Sequence, residues 1–209
     1  MLRTRLVVEG AERVPDAPSV ILASNHLSIM DPPILSVVLE RALRRQVRYM
    51  AKAEALTYPI VGPMLLAYGG FGVRRGAADR EAYRMALAVL AAGDWLGVAP
   101  EGTRSRTAKL GEPKPGVATL ALRSGAPVLP VAISGSEKLW PIGARLPRFF
   151  QTVVVRIGEA YRPAEVAQAA ESAGADRRAA LAAVSDDLMR RIAALLPERY
   201  RGRFGEESA

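Results

Sequence analysis

Residues 19–43 read "SVILASNHLSIMDPPILSVVLERAL". The apolar run Ser19–Ser24 follows Pro18 and predicts a buried strand. "DPPILSVVLERAL" at 31–43 opens like a helix, with Asp31 in the N-cap position and proline just inside. A strand that passes through a short loop into a helix is the repeating unit of α/β proteins. In open α/β sheets, ligands bind beyond the carboxyl ends of the strands. The loop here carries Asn25 and His26, the only histidine in the chain.

The same alternation continues outward. "VRYMA" (47–51), "GFGV" (70–73), "WLGVAP" (95–100), "PVLPVAI" (127–133) and "TVVVRIG" (152–158) are strand candidates. Residues 54–69 are apolar and predict a helix broken at Gly62-Pro63. Residues 79–93 have helical apolar spacing and close at Gly93, and 115–124 predict a short helix closed by Gly125. Residues 176–196 predict an amphipathic helix with Leu181, Val184, Leu188, Ile192 and Leu195 on one face, suited to core packing more than to a membrane. The expected fold class is α/β, one domain over 1–209 with a largely parallel or mixed sheet flanked by helices. Its motif-bearing core covers about 6–160, with a helical part at 161–209.

Three polar clusters each follow a predicted strand, which puts them at one sheet edge. The first is His26 with Asp31. A carboxylate on one imidazole nitrogen fixes the tautomer and supports the imidazolium, leaving the other nitrogen free to take a hydroxyl proton. Asp31 could equally do no more than cap a helix. The second is "GGFGVRRG" (69–76), where Arg74 and Arg75 could bind an anion. It lacks the glycine spacing of a dinucleotide loop. The third is "APEGTRSR" (99–106). Gly102 admits close backbone approach, Thr103 offers a hydroxyl, and Arg104 can fork onto a phosphate. The ordinary alternative is a solvated turn with Glu101 paired to Arg104.

Composition narrows the chemistry. The chain has 209 residues and no cysteine, which excludes disulfides, thiolate metal sites and a cysteine nucleophile. With one histidine, no metal site is expected. There is no G-x-S-x-G elbow and no phosphate loop ending G-K-[ST]. A net charge of +8, carried almost wholly by arginine, suggests an anionic partner or reflects only an Arg- and Ala-rich composition. Aromatic residues make up only 6%, which disfavours binding of single-stranded nucleic acid by stacking, and no nucleic-acid partner is expected. No signal peptide is visible in "MLRTRLVVEG". The longest apolar run, 60–73, falls short of the ~20 residues of a spanning helix.

Taken together, the order and spacing are specific. N-H-x4-D at 25–31, G-x4-R at 70–75, E-G-T-R at 101–104 and V-x-P-V-A-I-x-G at 128–135 resemble the glycerolipid acyltransferase family, in particular its bacterial 1-acyl-glycerol-3-phosphate acyltransferases. The resemblance covers roughly 6–160. "LVVEGAERVP", Lys52 before Glu54, and "PKPGVATLAL" also fit it.

The resemblance implies a glycerol-3-phosphate acyltransferase-like fold. It implies transfer of a fatty acyl group from acyl-CoA or acyl carrier protein to the free hydroxyl of a lysophospholipid, without an acyl-enzyme and without a cofactor. His26 would be the general base and Asp31 its support. Glu101, Gly102, Thr103 and Arg104, with Asn25, Arg74 and Arg75, would bind the substrate and hold its phosphate. Glycerol 3-phosphate or a lyso-aminolipid as acceptor, or water in a thioesterase, are the alternatives. Ala99 stands where the family usually has an aromatic, and "GFGVRR" adds a cation, which opens the acceptor's identity. The expected location is the cytoplasmic face of the cell membrane, attached peripherally through apolar surface near 56–71 and neighbouring arginines.

Overall fold

The computed structural model describes residues 4–43, 47–59, 61–73 and 79–205. Among the described residues seven strands form one sheet: β1 (Arg5–Glu9), β2 (Ile21–Ser24), β3 (Val47–Lys52), β4 (Gly70–Val73), β5 (Trp95–Val98), β6 (Val128–Ser134) and β7 (Thr152–Ile157). Their order is β1-β7-β6-β2-β5-β3-β4. Every neighbouring pair is parallel except β6 with β7. The sheet is therefore mixed, and the class is α/β.

The helices are α1 (Asp31–Leu43), α2 (Ala53–Leu56), α3 (Val61–Ala67), α4 (Asp79–Ala91), α5 (Gly116–Ser124), α6 (Ser136–Leu139), α7 (Pro163–Ser172) and α8 (Arg177–Leu195). They cover both sheet faces, which is why the central strands read as unbroken apolar runs. Ile21 and Ala23 of β2 face one core with Leu96, Val98, Leu188 and Ile192. Val20 and Leu22 face the other with Leu35, Leu39, Trp95 and Ile133. Full burial of a Leu or Ile side chain contributes ~1.5–3 kcal/mol, so the apolar face of α8 belongs to the core. Tyr49 of β3 packs its ring against Gly97 of β5, where any Cβ would collide with it.

Several expectations need correction. The break in 54–69 falls between Leu56 and Val61; Gly62 and Pro63 sit in the first turn of α3, where a proline needs no intrahelical bond. β1 is an additional strand, pairing with β7 across the length of the chain. α6 and α7 are additional helices, and α7 carries Pro163 at its start.

Candidate active site

β2 and β5 are parallel neighbours, so their carboxyl ends open at the same edge. The loops that follow them are bonded together there. His26 N–H donates to Glu101 Oε1 at 3.2 Å, and Ser105 N–H donates to the His26 carbonyl at 2.8 Å. The first and third polar clusters are thus one site. β4 ends at the same edge, but Arg74 and Arg75 lie outside the described residues.

His26 Nδ1 lies 2.8 Å from Asp31 Oδ2. That oxygen also accepts the N–H groups of Leu27 at 2.6 Å and Ser28 at 2.8 Å. Asp31 is not acting as a cap: Ile34 N–H reaches the Met30 carbonyl, and Pro32 and Pro33 have no N–H to offer. The carboxylate instead gathers the loop that leads into its own helix. Its side chain is 2% exposed and that of His26 is 25% exposed. The imidazole is held from inside on Nδ1 and reaches solvent with its other edge. Nε2 has no protein partner among the described residues.

Asn25, expected to contact substrate, faces inward. Its Nδ2 donates to the Ile133 carbonyl and its Oδ1 accepts the Ile133 N–H, both at 2.8 Å. The buried amide mimics one more rung of the β2–β6 ladder and fixes where the chain turns toward His26. Its geometry is that of a positioning residue.

Glu101 is also buried. Its two oxygens accept His26 N–H and, at 2.9 Å, Gly111 N–H. Arg104 is not its partner. Burial pushes the Glu101 carboxyl above the ordinary glutamate range, against the pull of the two backbone N–H bonds. Glu101 therefore pins the loop from beneath while Gly102 and Thr103 stay exposed and Arg104 is half-buried. Arg104 has no ion-pair partner among the described residues.

Lys114 is a residue the motif reading passed over. Gly102 has φ +68°, and a Cβ there would come within 3.0–3.3 Å of the Lys114 Cδ, Cε and Nζ atoms. Lys114 N–H bonds the Pro100 carbonyl at 2.8 Å. A second cation thus lies over the exposed turn that carries Arg104. The signal available in the sequence was a lysine ten positions after Arg104, at the start of "PKPGVATLAL", and only the fold returns it to the turn.

Beside the His26 loop is an apolar pocket of about 400 Å³. Met30 and Ile34 from the start of α1, Met64 of α3, and Leu139, Trp140 and Phe149 line it. Ser28 Oγ donates to the Trp140 carbonyl at 2.9 Å, which ties the pocket wall to the loop that carries His26. The arrangement combines a carboxylate-supported imidazole, a cationic turn and an apolar cavity on one edge of the sheet.

The family model described as Acyltransferase matches residues 5–134. The chain is 32% identical over 160 residues to a 1-acyl-sn-glycerol-3-phosphate acyltransferase of Pseudomonas aeruginosa, covering 72% of this chain and 58% of that protein. It is 32% identical over 140 residues to the protein of the same name in Borreliella burgdorferi, covering 65% and 54%. A chloroplast relative of that name in Arabidopsis thaliana is 28% identical, with 67% of this chain and 39% of that one covered. The chain thus spans only part of the length of the curated relatives it matches. The crystal structure of the 1-acyl-sn-glycerophosphate acyltransferase PlsC of Thermotoga maritima superposes with a TM-score of 0.67 at 28% identity, covering 93% of this chain and 73% of that one.

Proposed function

This chain belongs to the Acyltransferase family, and we propose that it moves a fatty acyl group from acyl-CoA or acyl carrier protein to the sn-2 hydroxyl of 1-acyl-glycerol-3-phosphate, giving phosphatidic acid for phospholipid synthesis. The observation that carries this reading is the 2.8 Å contact between His26 Nδ1 and Asp31 Oδ2. In this reading a carboxylate can only accept, so the neutral imidazole would carry its proton on Nδ1 and Nε2 would keep the lone pair a general base needs.

In the proposed reaction the acceptor hydroxyl gives its proton to Nε2 as its oxygen attacks the thioester carbonyl. Asp31 stabilises the imidazolium that forms. The tetrahedral intermediate collapses with cleavage of the C–S bond, and the leaving thiolate takes the proton back from Nε2. The products are the ester and the free thiol, and the enzyme is regenerated without a covalent intermediate.

Arg104 and Lys114, with Thr103 on the same exposed turn, would hold the acceptor phosphate. Fixing the phosphate there would orient the glycerol hydroxyl toward His26, and pre-positioning of this kind accounts for much of an enzyme's advantage. The apolar pocket beside Met30 and Trp140 would take an acyl chain. The net charge of +8 favours an anionic lipid surface, and the reading places the enzyme peripherally on the cytoplasmic face of the membrane.

The test is to incubate the protein with labelled acyl-CoA and, in parallel, lysophosphatidate, glycerol 3-phosphate, a lyso-aminolipid or no acceptor, and to separate the lipid products. Label in phosphatidic acid from the lysophosphatidate reaction supports the reading. Label only in another acceptor's product, or only in free fatty acid, replaces it with that activity.

A further inference from the structure

Residues 141–150, "PIGARLPRFF", join α6 to β7 and were not singled out by any motif. They form a hydrogen-bonded loop. Arg148 N–H bonds the Leu139 carbonyl at 2.6 Å, Ala144 N–H bonds the Pro141 carbonyl at 3.0 Å, and Trp140 Nε1–H bonds the Ala144 carbonyl at 2.9 Å. The loop is fastened at its base, yet its apolar side chains point outward. Leu146 is 75% exposed and Phe150 71% exposed, and Ile142 and Phe149 are exposed as well.

Phe150 adopts φ +65°, a left-handed conformation that costs a non-glycine residue free energy. No core contact repays that strain, because the side chain is in water. Arg145 and Arg148 are exposed between the apolar residues, and neither forms an ion pair among the described residues. There is no acidic residue between Glu137 and Glu159. Exposed aromatic and aliphatic side chains interleaved with unpaired arginines match an anionic lipid surface: the apolar groups enter the acyl boundary and the cations meet the phosphates.

The position of the loop gives this a consequence. Phe149 lines the apolar pocket together with Met30 and Met64, and Trp140 is bonded to Ser28 beside His26. We infer that the 141–150 loop is the part of this protein that inserts into the interface of an anionic bilayer, seating the mouth of the apolar pocket against the lipid that supplies its substrate. The inference rests on the acyltransferase reading for its purpose, and the lipid surface itself is argued from the loop. It also moves the main contact away from 56–71, where Tyr58 and Leu66 are exposed without cations interleaved in the same way.

The test is sedimentation of the protein with vesicles of equimolar phosphatidylglycerol and phosphatidylcholine, or of phosphatidylcholine alone. The variants are Leu146→Ser with Phe150→Ser, Phe150→Gly, and Tyr58→Ser with Leu66→Ser. Thermal unfolding of each variant runs alongside, as does acyl transfer between a short-chain acyl-CoA and a short-chain lysophosphatidate below its micellar concentration. The inference expects wild type to sediment with the anionic vesicles, the Leu146/Phe150 variant to bind them ~10-fold or more weakly, and both to turn over the monomeric substrates equally. Phe150→Gly should lose binding while its Tm stays at or above that of wild type, because glycine relieves the strained φ. Wild-type binding by the Leu146/Phe150 variant, or loss of binding only in the Tyr58/Leu66 variant, overturns the inference. So does a concentration-dependent dimer that the Leu146/Phe150 variant abolishes while vesicle binding persists, since the loop then serves a second copy. Failure of wild type on the monomeric substrates counts against the acyltransferase reading alone, because sedimentation needs no catalysis.

Discussion

Asp31 and His26 are joined through a single oxygen: Asp31 Oδ2 receives His26 Nδ1 at 2.8 Å together with the backbone N–H groups of Leu27 and Ser28. The charge that supports the imidazole is therefore also the charge that shapes the loop presenting it. Two backbone bonds hold the carboxylate in place, and among the described residues Asp31 is the one side chain bonded to the imidazole, while Glu101 holds the His26 backbone. The other oxygen, Oδ1, is buried with no partner among the described residues, so the support falls on one atom.

Asp31→Asn tests this arrangement. The amide keeps the size but offers a neutral oxygen to three donors, or turns its NH2 toward them. The expected result is a fall in kcat of ~10²–10⁴, as for loss of the orienting carboxylate in other His–carboxylate systems, with KM for the acceptor little changed. Steady-state kinetics on purified protein decides it, and a kcat within about threefold of wild type contradicts the role.

Asn25→Ala separates positioning from substrate contact. The substitution leaves the Ile133 N–H and carbonyl buried without partners, which costs ~2–4 kcal/mol. For a chain of this size the fall in Tm is on the order of 5–15 °C. An unchanged Tm with a raised KM would instead mean that Asn25 meets the substrate.

Glu101→Gln removes one of the two backbone bonds beneath the turn, because one carboxamide atom is a donor facing an N–H. The expected loss is ~1–3 kcal/mol, with reduced kcat because the His26 backbone is released. The pH dependence has a definite sign. Burial raises the folded-state pKa of Glu101 above its ordinary value of 4.5, so the native state holds this proton to higher pH than the unfolded chain does. Its contribution to stability is full below that ordinary value and declines as pH rises through the raised one. Glutamine does not titrate there, so the stability gap between wild type and variant narrows with rising pH. Urea midpoints measured from about pH 4 to 7 check this; a gap that widens over that range contradicts it.

Arg104→Ala should raise KM for lysophosphatidate by ~10-fold or more, the loss of a charge-assisted bidentate contact. Activity on an acceptor without phosphate, such as a monoacylglycerol, should stay the same. Equal losses on both acceptors would assign Arg104 to something other than the phosphate.

The parts legible in the sequence are those whose cause is local. β2, α1 and the loop between them announce themselves because an unbroken apolar run is buried on both faces and "DPP" ahead of an apolar run favours a helix start. Gly125 closes α5 where expected, with φ +66°. Long-range partners were not legible. β1 is an edge strand with mostly exposed side chains, and it pairs with residues almost 150 positions away. The role of Asn25 depends on Ile133, and that of Glu101 depends on Gly111 and on the backbone of His26, none of which a spacing rule specifies. The helix break was misplaced because Gly62-Pro63 is a breaker within a helix but fits a first turn. The 141–150 loop has neither helical nor strand period, so its exposed apolar residues appear only in three dimensions.

The proposed reaction depends most directly on His26. The measurement is thiol release from a long-chain acyl-CoA, with and without lysophosphatidate, by wild type and by His26→Ala. The chain has no cysteine, so a thiol reagent sees no protein background. The expected result is release that requires lysophosphatidate and falls ~10²–10⁴-fold or more in the variant. Acceptor-dependent release that survives His26→Ala would contradict the mechanism, and release of equal rate without acceptor would make the protein a thioesterase.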